Sequence, residues 1–276
     1  MTSPLNKTLT VNKGDRFPIL KYKDGDRLEN KIYSGNCVTE MKKLPTASVD
    51  LIVTDPPYTI KRDFGKGTVD TKEKEFTAWC EEWIYECERL LKKDGSIYVC
   101  INWEASSIIE SILKKYFLIK NRITWQRDKG RGAKRNWKNN LEDIWFATKS
   151  EDYTFNLDDV KIERPVIAPY VDKEGKAKDW YVKNGKKVRL THPSNIWTDL
   201  VVPFWSMAEN TEHPTQKPEK LIERIILASS NKNDLVFDPF MGSGTTAVVA
   251  KRLKRNYLGF EIEKKYFYLT HKRLKK

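Results

Sequence analysis

Val49-Asp50-Leu51-Ile52-Val53-Thr54-Asp55-Pro56-Pro57-Tyr58 is the stretch on which the fold turns. A short Val/Ile/Leu-rich run is the pattern of a parallel strand covered on both faces, and the two prolines end it because neither offers a backbone N–H to the ladder. The strand's carboxyl end then carries an acidic side chain, a stiff turn with open carbonyls and an aromatic ring. It lies at the edge where open α/β sheets bind ligands. Those groups suit chemistry on a planar amine.

Upstream, Lys31–Ser34 reads as a strand, Gly35-Asn36 as a turn and Val38–Lys43 as a helix. Residues 1–30 alternate charge, Gly and Pro without a helical stripe, and read as an N-terminal arm packing onto the body. Downstream, Phe76, Trp79, Cys80, Trp83, Ile84, Cys87 and Leu90 recur at spacings of three and four, which predicts an amphipathic helix over 74–93 stopped by Asp94-Gly95. A strand over 96–101, a helix over 105–116 and strands over 118–125 and 144–148 follow. Alternation of this kind predicts a doubly wound, mostly parallel α/β sheet built by crossover helices.

Two stretches break the alternation. Arg127, Lys129, Arg131, Lys134, Arg135 and Lys138 crowd a loop with Gly130, Gly132 and Trp137. Residues 150–210 read as an insertion, with short strands flanking a hairpin turn at Asn184-Gly185. The chain therefore divides into an arm (1–30), a first half (31–149), the insertion (150–210) and a second half (211–276). In that second half a helix over 219–230 precedes a compact βαβ unit, formed by a strand over 235–237, a helix over 245–253 and a strand over 257–260, and a final helix closes the chain.

The loop of that βαβ unit, Asp238-Pro239-Phe240-Met241-Gly242-Ser243-Gly244-Thr245-Thr246-Ala247, sets glycines between a strand and a helix. Glycine permits a tight turn and close backbone approach, and the N–H groups opening a helix favour an anion. Glu261, after the next strand, can accept hydrogen bonds from ribose hydroxyls. Gly242-x-Gly244-x-x-Ala247 also fits dinucleotide-binding folds, which keeps a nicotinamide or flavin enzyme open, whereas the Gly-Lys-Ser/Thr ending of a P-loop is absent.

The early Asp55-Pro56-Pro57-Tyr58 with the late Asp238-to-Gly244 loop resembles the S-adenosylmethionine-dependent DNA amino-methyltransferases, in the motif order of their beta class. His213-Pro214-Thr215-Gln216-Lys217-Pro218 is similar to the segment preceding the cofactor loop in that family, and 122–148 to the stretch leading to its target-recognition insert. The resemblance covers nearly all of the chain from Lys31 onward. It implies a Rossmann-like fold with S-adenosylmethionine as methyl donor, S-adenosylhomocysteine as product, and an adenine-N6 target, with cytosine-N4 as the close alternative. It also implies a catalytic motif of Asp55, Pro56, Pro57 and Tyr58, in which Asp55 and the Pro56 carbonyl accept from the target amine and Tyr58 stacks on a flipped base. Cofactor contacts would fall to Asn36, Cys37, Asp55, Thr215, Lys217, Asp238, Pro239, Phe240, Gly242, Ser243, Gly244, Thr245, Thr246 and Glu261. Where the family commonly has Gly-Asp, this chain has Gly35-Asn36, whose amide oxygen can still accept from an adenine amine.

Physical reasoning supports that implication. An exocyclic amine is a poor nucleophile while its lone pair is delocalised into the ring, so acceptors for its N–H groups favour a pyramidal, reactive nitrogen. Transfer from a sulfonium then needs positioning and electrostatics, without an enzyme nucleophile.

Composition fits a nucleic-acid partner: 51 Lys and Arg against 38 Asp and Glu give a formal net charge of +13. Lys61 and Arg62, with Arg127, Lys129, Arg131, Lys134, Arg135, Trp137 and Lys138, are the candidate DNA contacts. A DNA-binding protein without catalysis is the reading that charge alone would support. The resemblance also allows a homodimer and a cognate restriction endonuclease as partners. Cys37, Cys80, Cys87 and Cys100 form no CxxC pair and the three histidines are scattered, so reduced core cysteines and no metal are expected. The polar amino terminus and the lack of a long apolar run predict a cytoplasmic protein without membrane contact.

Overall fold

A computed structural model describes residues 18–23, 25–57, 69–127, 134–135, 137–167 and 169–275, with the backbone alone at 69–71. Its elements run β1 (Lys31–Ser34), α1 (Cys37–Met41), β2 (Val49–Thr54), α2 (Val69–Leu90), β3 (Leu91–Ile101), α3 (Trp103–Tyr116), β4 (Leu118–Gln126) and β5 (Leu141–Thr148). After a 3₁₀ turn come β6 (Ile162–Pro165), β7 (Tyr181–Lys183), β8 (Lys186–Thr191) and β9 (Ile196–Trp197). The chain closes with α4 (Glu219–Ser229), β10 (Leu235–Asp238), α5 (Thr245–Arg252), β11 (Asn256–Glu261) and α6 (Lys264–Leu274).

Eight strands form one sheet in the order β1-β11-β10-β2-β3-β5-β4-β9. All pairings from β1 to β3 are parallel, while β5 runs antiparallel to both β3 and β4. Residues of β2 divide between two cores, with Ile52 on one side and Leu51 and Val53 on the other, and with Val49 joining Ile52 across an irregularity in the ladder. The first core packs α1, α2 and α3, through residues such as Met41, Trp83 and Ile109, and the second packs α4 and α5 through Ile225, Ile226 and Val249. Burial on both faces is why these strands read as unbroken apolar runs.

Element boundaries and strand order differ from expectation in places. The helix opening before Phe76 spans Val69–Leu90, and β3 already starts at Leu91 instead of after the Asp94-Gly95 stop, because Leu91 pairs with Val49 ahead of an irregularity in the ladder. The crossover from β3 through α3 leads to β4, but β5 is wedged between β3 and β4. The expected insertion contributes a separate sheet of three strands, β6-β8-β7, where two were expected. Its flanks return to the main body: Phe155 stacks 5.9 Å from Phe146, and β9 joins the edge of the large sheet at β4.

Residues 18–30 have no regular strand or helix among those described, yet Leu20 and Leu28 are buried in the first core. All four cysteines are free and buried. Among the described residues no helix is long and apolar enough to cross a membrane.

Candidate active site

The crossovers from β2 and β10 diverge, since β2 leads through α2 to β3 on one side and β10 leads through α5 to β11 on the other. A crevice opens beyond the strand ends at such a switch point. Here it is a cavity of about 710 Å³, of a size that holds a nucleotide-like ligand.

Asp55, Pro56 and Pro57 enter it from the end of β2. Asp238, Pro239, Phe240, Gly242, Ser243, Thr245 and Thr246 enter from the end of β10, and Glu261 from the end of β11. Asn36, Cys37, Thr215 and Lys217 complete the expected set on the same walls. Gly244 is not on the wall: it lies in the left-handed region (φ 78°) as the N-cap of α5, and a Cβ there would stand 2.3 Å from Thr270 Cγ2. Tyr58, Lys61, Arg62, Lys129 and Arg131 lie outside the described residues. Lys134, Arg135, Trp137 and Lys138 are exposed.

Around Asp238 the loop is tightly tied. Its Oδ1 accepts from Thr54 Oγ1 at 3.1 Å and from the Phe240 N–H at 3.0 Å, and its Oδ2 accepts from Thr246 Oγ1 at 2.8 Å. Burial pushes this carboxyl up to about 7, outweighing those donors. Glu261 has a matching role one strand over, accepting the Gly242 N–H at 2.6 Å and the Glu263 N–H at 2.7 Å, and burial raises it too. Gly242 is also in the left-handed region (φ 53°), and a Cβ on it would approach His213 Nε2 to 3.1 Å. Among the described residues no side chain caps the start of α5, leaving a helix amino terminus that suits a carboxylate.

The other end of the cavity is built from charges. Lys217 Nζ donates to Asp55 Oδ2 at 2.6 Å and lies 2.8 Å from Glu142 Oε1, while Arg127 Nη1 donates to Glu142 Oε2 at 2.5 Å. Glu142 is 0% exposed. Burial acts to raise its carboxyl, but Lys217 and Arg127 outweigh it and hold Glu142 below the usual range. Burial likewise acts to lower Lys217, and Asp55 and Glu142 reverse that to leave it raised.

Three of the expected site residues already have partners within the chain. Lys217, an expected cofactor contact, lines the cavity and donates to Asp55. Arg127, expected on phosphate, turns inward to a buried carboxylate. The Asn36 amide oxygen accepts from the Val38 and Thr39 N–H groups as the cap of α1, so its expected acceptor role toward an adenine competes with that cap.

Sequence reasoning missed Glu142 and His213 as site residues. Glu142 falls within the 122–148 stretch that carries the resemblance, ahead of the strand expected over 144–148, and has no role of its own there. His213 lines the cavity, packs edge-on against Tyr266 at 4.3 Å, and has a buried Nδ1 without a partner among the described residues. Burial, with Lys217 and Arg273 adding to it, pushes the ring down to about 4.

A cleft of this kind at the switch point of a doubly wound sheet is that of a Rossmann-like α/β enzyme. The model of the N6/N4 DNA methylase family matches residues 49–272, and the chain belongs to that family. It is 40% identical over 245 residues to DNA adenine methyltransferase YhdJ of Escherichia coli (strain K12), covering 88% of this chain and 82% of that protein. It is 34% identical over 252 residues to Type II methyltransferase M.HpaI of Haemophilus parainfluenzae, covering 90% and 74%. Among solved structures, the M1.HpyAVI–SAM complex superposes with a TM-score of 0.59 at 27% identity, over 88% of this chain and 98% of that one. The PvuII DNA methyltransferase (cytosine-N4-specific) superposes with a TM-score of 0.69 at 20% identity, over 89% and 86%, a likeness of fold alone.

Proposed function

We propose that this chain is a site-specific DNA adenine-N6 methyltransferase using S-adenosylmethionine. The observation that carries the reading is that Asp55-Pro56 and the Asp238-to-Thr246 loop, far apart in sequence, line one cavity. The resemblance to a relative named a DNA adenine methyltransferase at 40% identity favours adenine over cytosine. A donor of that kind supplies a methyl group on a positively charged sulfur, and the cavity walls fit it. Glu261 offers carboxylate oxygens for ribose hydroxyls, and the start of α5 suits the methionyl carboxylate.

In this reading Asp55 and the Pro56 carbonyl accept the N–H groups of the target amine and so raise the availability of its lone pair. Pro56 and Pro57 hold that acceptor pair rigid, which is worth most when charge develops in the transition state. Tyr58 stacks on the extruded base, at an unstacking cost of a few kcal/mol. The exposed Lys134, Arg135 and Lys138 meet phosphates. The three-stranded β6-β8-β7 sheet within 150–210 reads base edges as the target-recognition element, between a catalytic half (31–149) and a cofactor half (211–276). A homodimer and a cognate restriction endonuclease are the partners proposed beyond DNA, the latter because M.HpaI is a Type II methyltransferase.

Nucleoside analysis of DNA treated with the protein and S-adenosylmethionine tests the reading. N6-methyladenine is expected, and N4-methylcytosine in its place would overturn the adenine assignment.

A further inference from the structure

Four side chains alternate in sign from the cavity into the protein: Asp55, Lys217, Glu142 and Arg127, joined by contacts of 2.6, 2.8 and 2.5 Å. Burying a carboxylate such as Glu142 completely costs several kcal/mol unless partners on both sides compensate. β5 could seat an apolar residue there as it does at Ile144, on the same face two positions along. The charge therefore answers a need beyond packing. That need is visible in Lys217, whose ammonium fixes Asp55 but also sets a positive charge in the wall of the cavity.

We propose, building on the S-adenosylmethionine reading, that Glu142 is a positioning residue that neutralises Lys217, so that the ammonium can orient Asp55 without repelling a cationic sulfur in the same cavity. With Glu142 in place the four charges sum to zero. Without it the set carries one net positive charge beside a ligand that is itself positive at its reacting atom. The consequence is selective. S-adenosylmethionine and S-adenosylhomocysteine share their adenosine, amino and carboxylate groups, and differ in the methyl group and the charge that it places on sulfur. Glu142 thus supports binding of the donor more than of the product, and Lys217 opposes it.

Calorimetric titration of both ligands into the purified protein tests this, reading the ratio of the two dissociation constants. In Glu142→Gln the donor is expected to weaken relative to the product by about tenfold or more, the size for one unit charge several ångströms away at an effective dielectric constant of about 20. In Lys217→Met the ratio is expected to shift the opposite way, toward the donor. Glu142→Asp, which keeps the charge, is expected to hold the ratio within about twofold of the wild type. A structural role alone would weaken both ligands together, and equal losses in Glu142→Gln would overturn the proposal. Should that variant not fold, an unchanged or reversed ratio in Lys217→Met would do the same. Wild-type protein that binds neither ligand would instead overturn the cofactor assignment underneath.

Discussion

β2 and β10 lie side by side and each leads into Asp-Pro, yet the two aspartates sit in opposite surroundings. The Asp55 side chain is 20% exposed, opens on the cavity and meets the Lys217 ammonium. Asp238 is buried and accepts from neutral donors on Thr54, Phe240 and Thr246. The dipeptide accounts for what they share: a strand end, and a turn that cannot extend the ladder. Their neighbours account for the rest. Asp238 ties β2, the loop and α5 into one unit, while Asp55 is presented by that unit to whatever enters the cleft.

The comparison breaks most sharply at Asp55 itself. Asp55→Ala is expected to lower methyl incorporation into DNA by at least about 10²- to 10³-fold, the scale of a lost transition-state acceptor. Binding to duplex DNA in gel shifts should persist, and methylation at the wild-type rate would refute the role.

On the Asp238 side the expected losses are in stability. Gly244→Ala places a Cβ 2.3 Å from Thr270 at a left-handed position, and should cost about 1–3 kcal/mol, read as a lower thermal midpoint. An unchanged midpoint would show that the loop yields and that Asp238 is not held by its surroundings. A pH series separates the two aspartates further. Because Asp238 sits at about 7 when folded, the folded chain keeps a proton there that the unfolded chain releases near pH 4. Its contribution is thus full below about pH 4 and is lost as pH rises through about 7. The urea midpoint of the wild type should fall relative to Asp238→Asn over that window, and parallel curves would contradict the assigned burial. Referring both curves to the variant removes the opposite slope of His213, whose depressed value of about 4 makes its contribution fade as pH falls.

The smallest effect is expected outside both aspartates. Replacing Lys134, Arg135 and Lys138 together by Gln should weaken DNA affinity with little dependence on sequence, and lessen the salt slope by about one unit for each phosphate no longer neutralised. An unaltered slope would move the DNA surface elsewhere.

Much of this arrangement was legible in the chain. The apolar runs of β2 and β10, the prolines and the glycines of 242–244 have local meanings that no tertiary contact reverses, so the strand ends, the loop and the crossover order could all be read. What could not be read depends on pairing at long range. Nothing near Leu91 announces that a strand begins there, because its partner Val49 decides it. The inward turn of Arg127 is equally invisible: a basic stretch looks solvated until a buried carboxylate on the next strand is found beneath its first residue. Glu142 in turn looks like an ordinary polar residue ahead of the apolar run 144–148, and only the placement of Lys217 gives it a role.

The reversed strand β5 has a further consequence, for how such proteins diversify. Since β4 and β5 pair antiparallel and are each paired again on their outer edges, their register is fixed independently of the segment joining them. The Arg127 N–H donates to the Asn140 carbonyl at 2.7 Å and closes the frame just beyond the two strands. What lies between those two residues is therefore joined to a frame that does not depend on its length. Insertions and substitutions there can accumulate without disturbing the sheet. On the proposed DNA role of this basic stretch, such changes would alter the grip on DNA while the sheet and its cleft stay as they are.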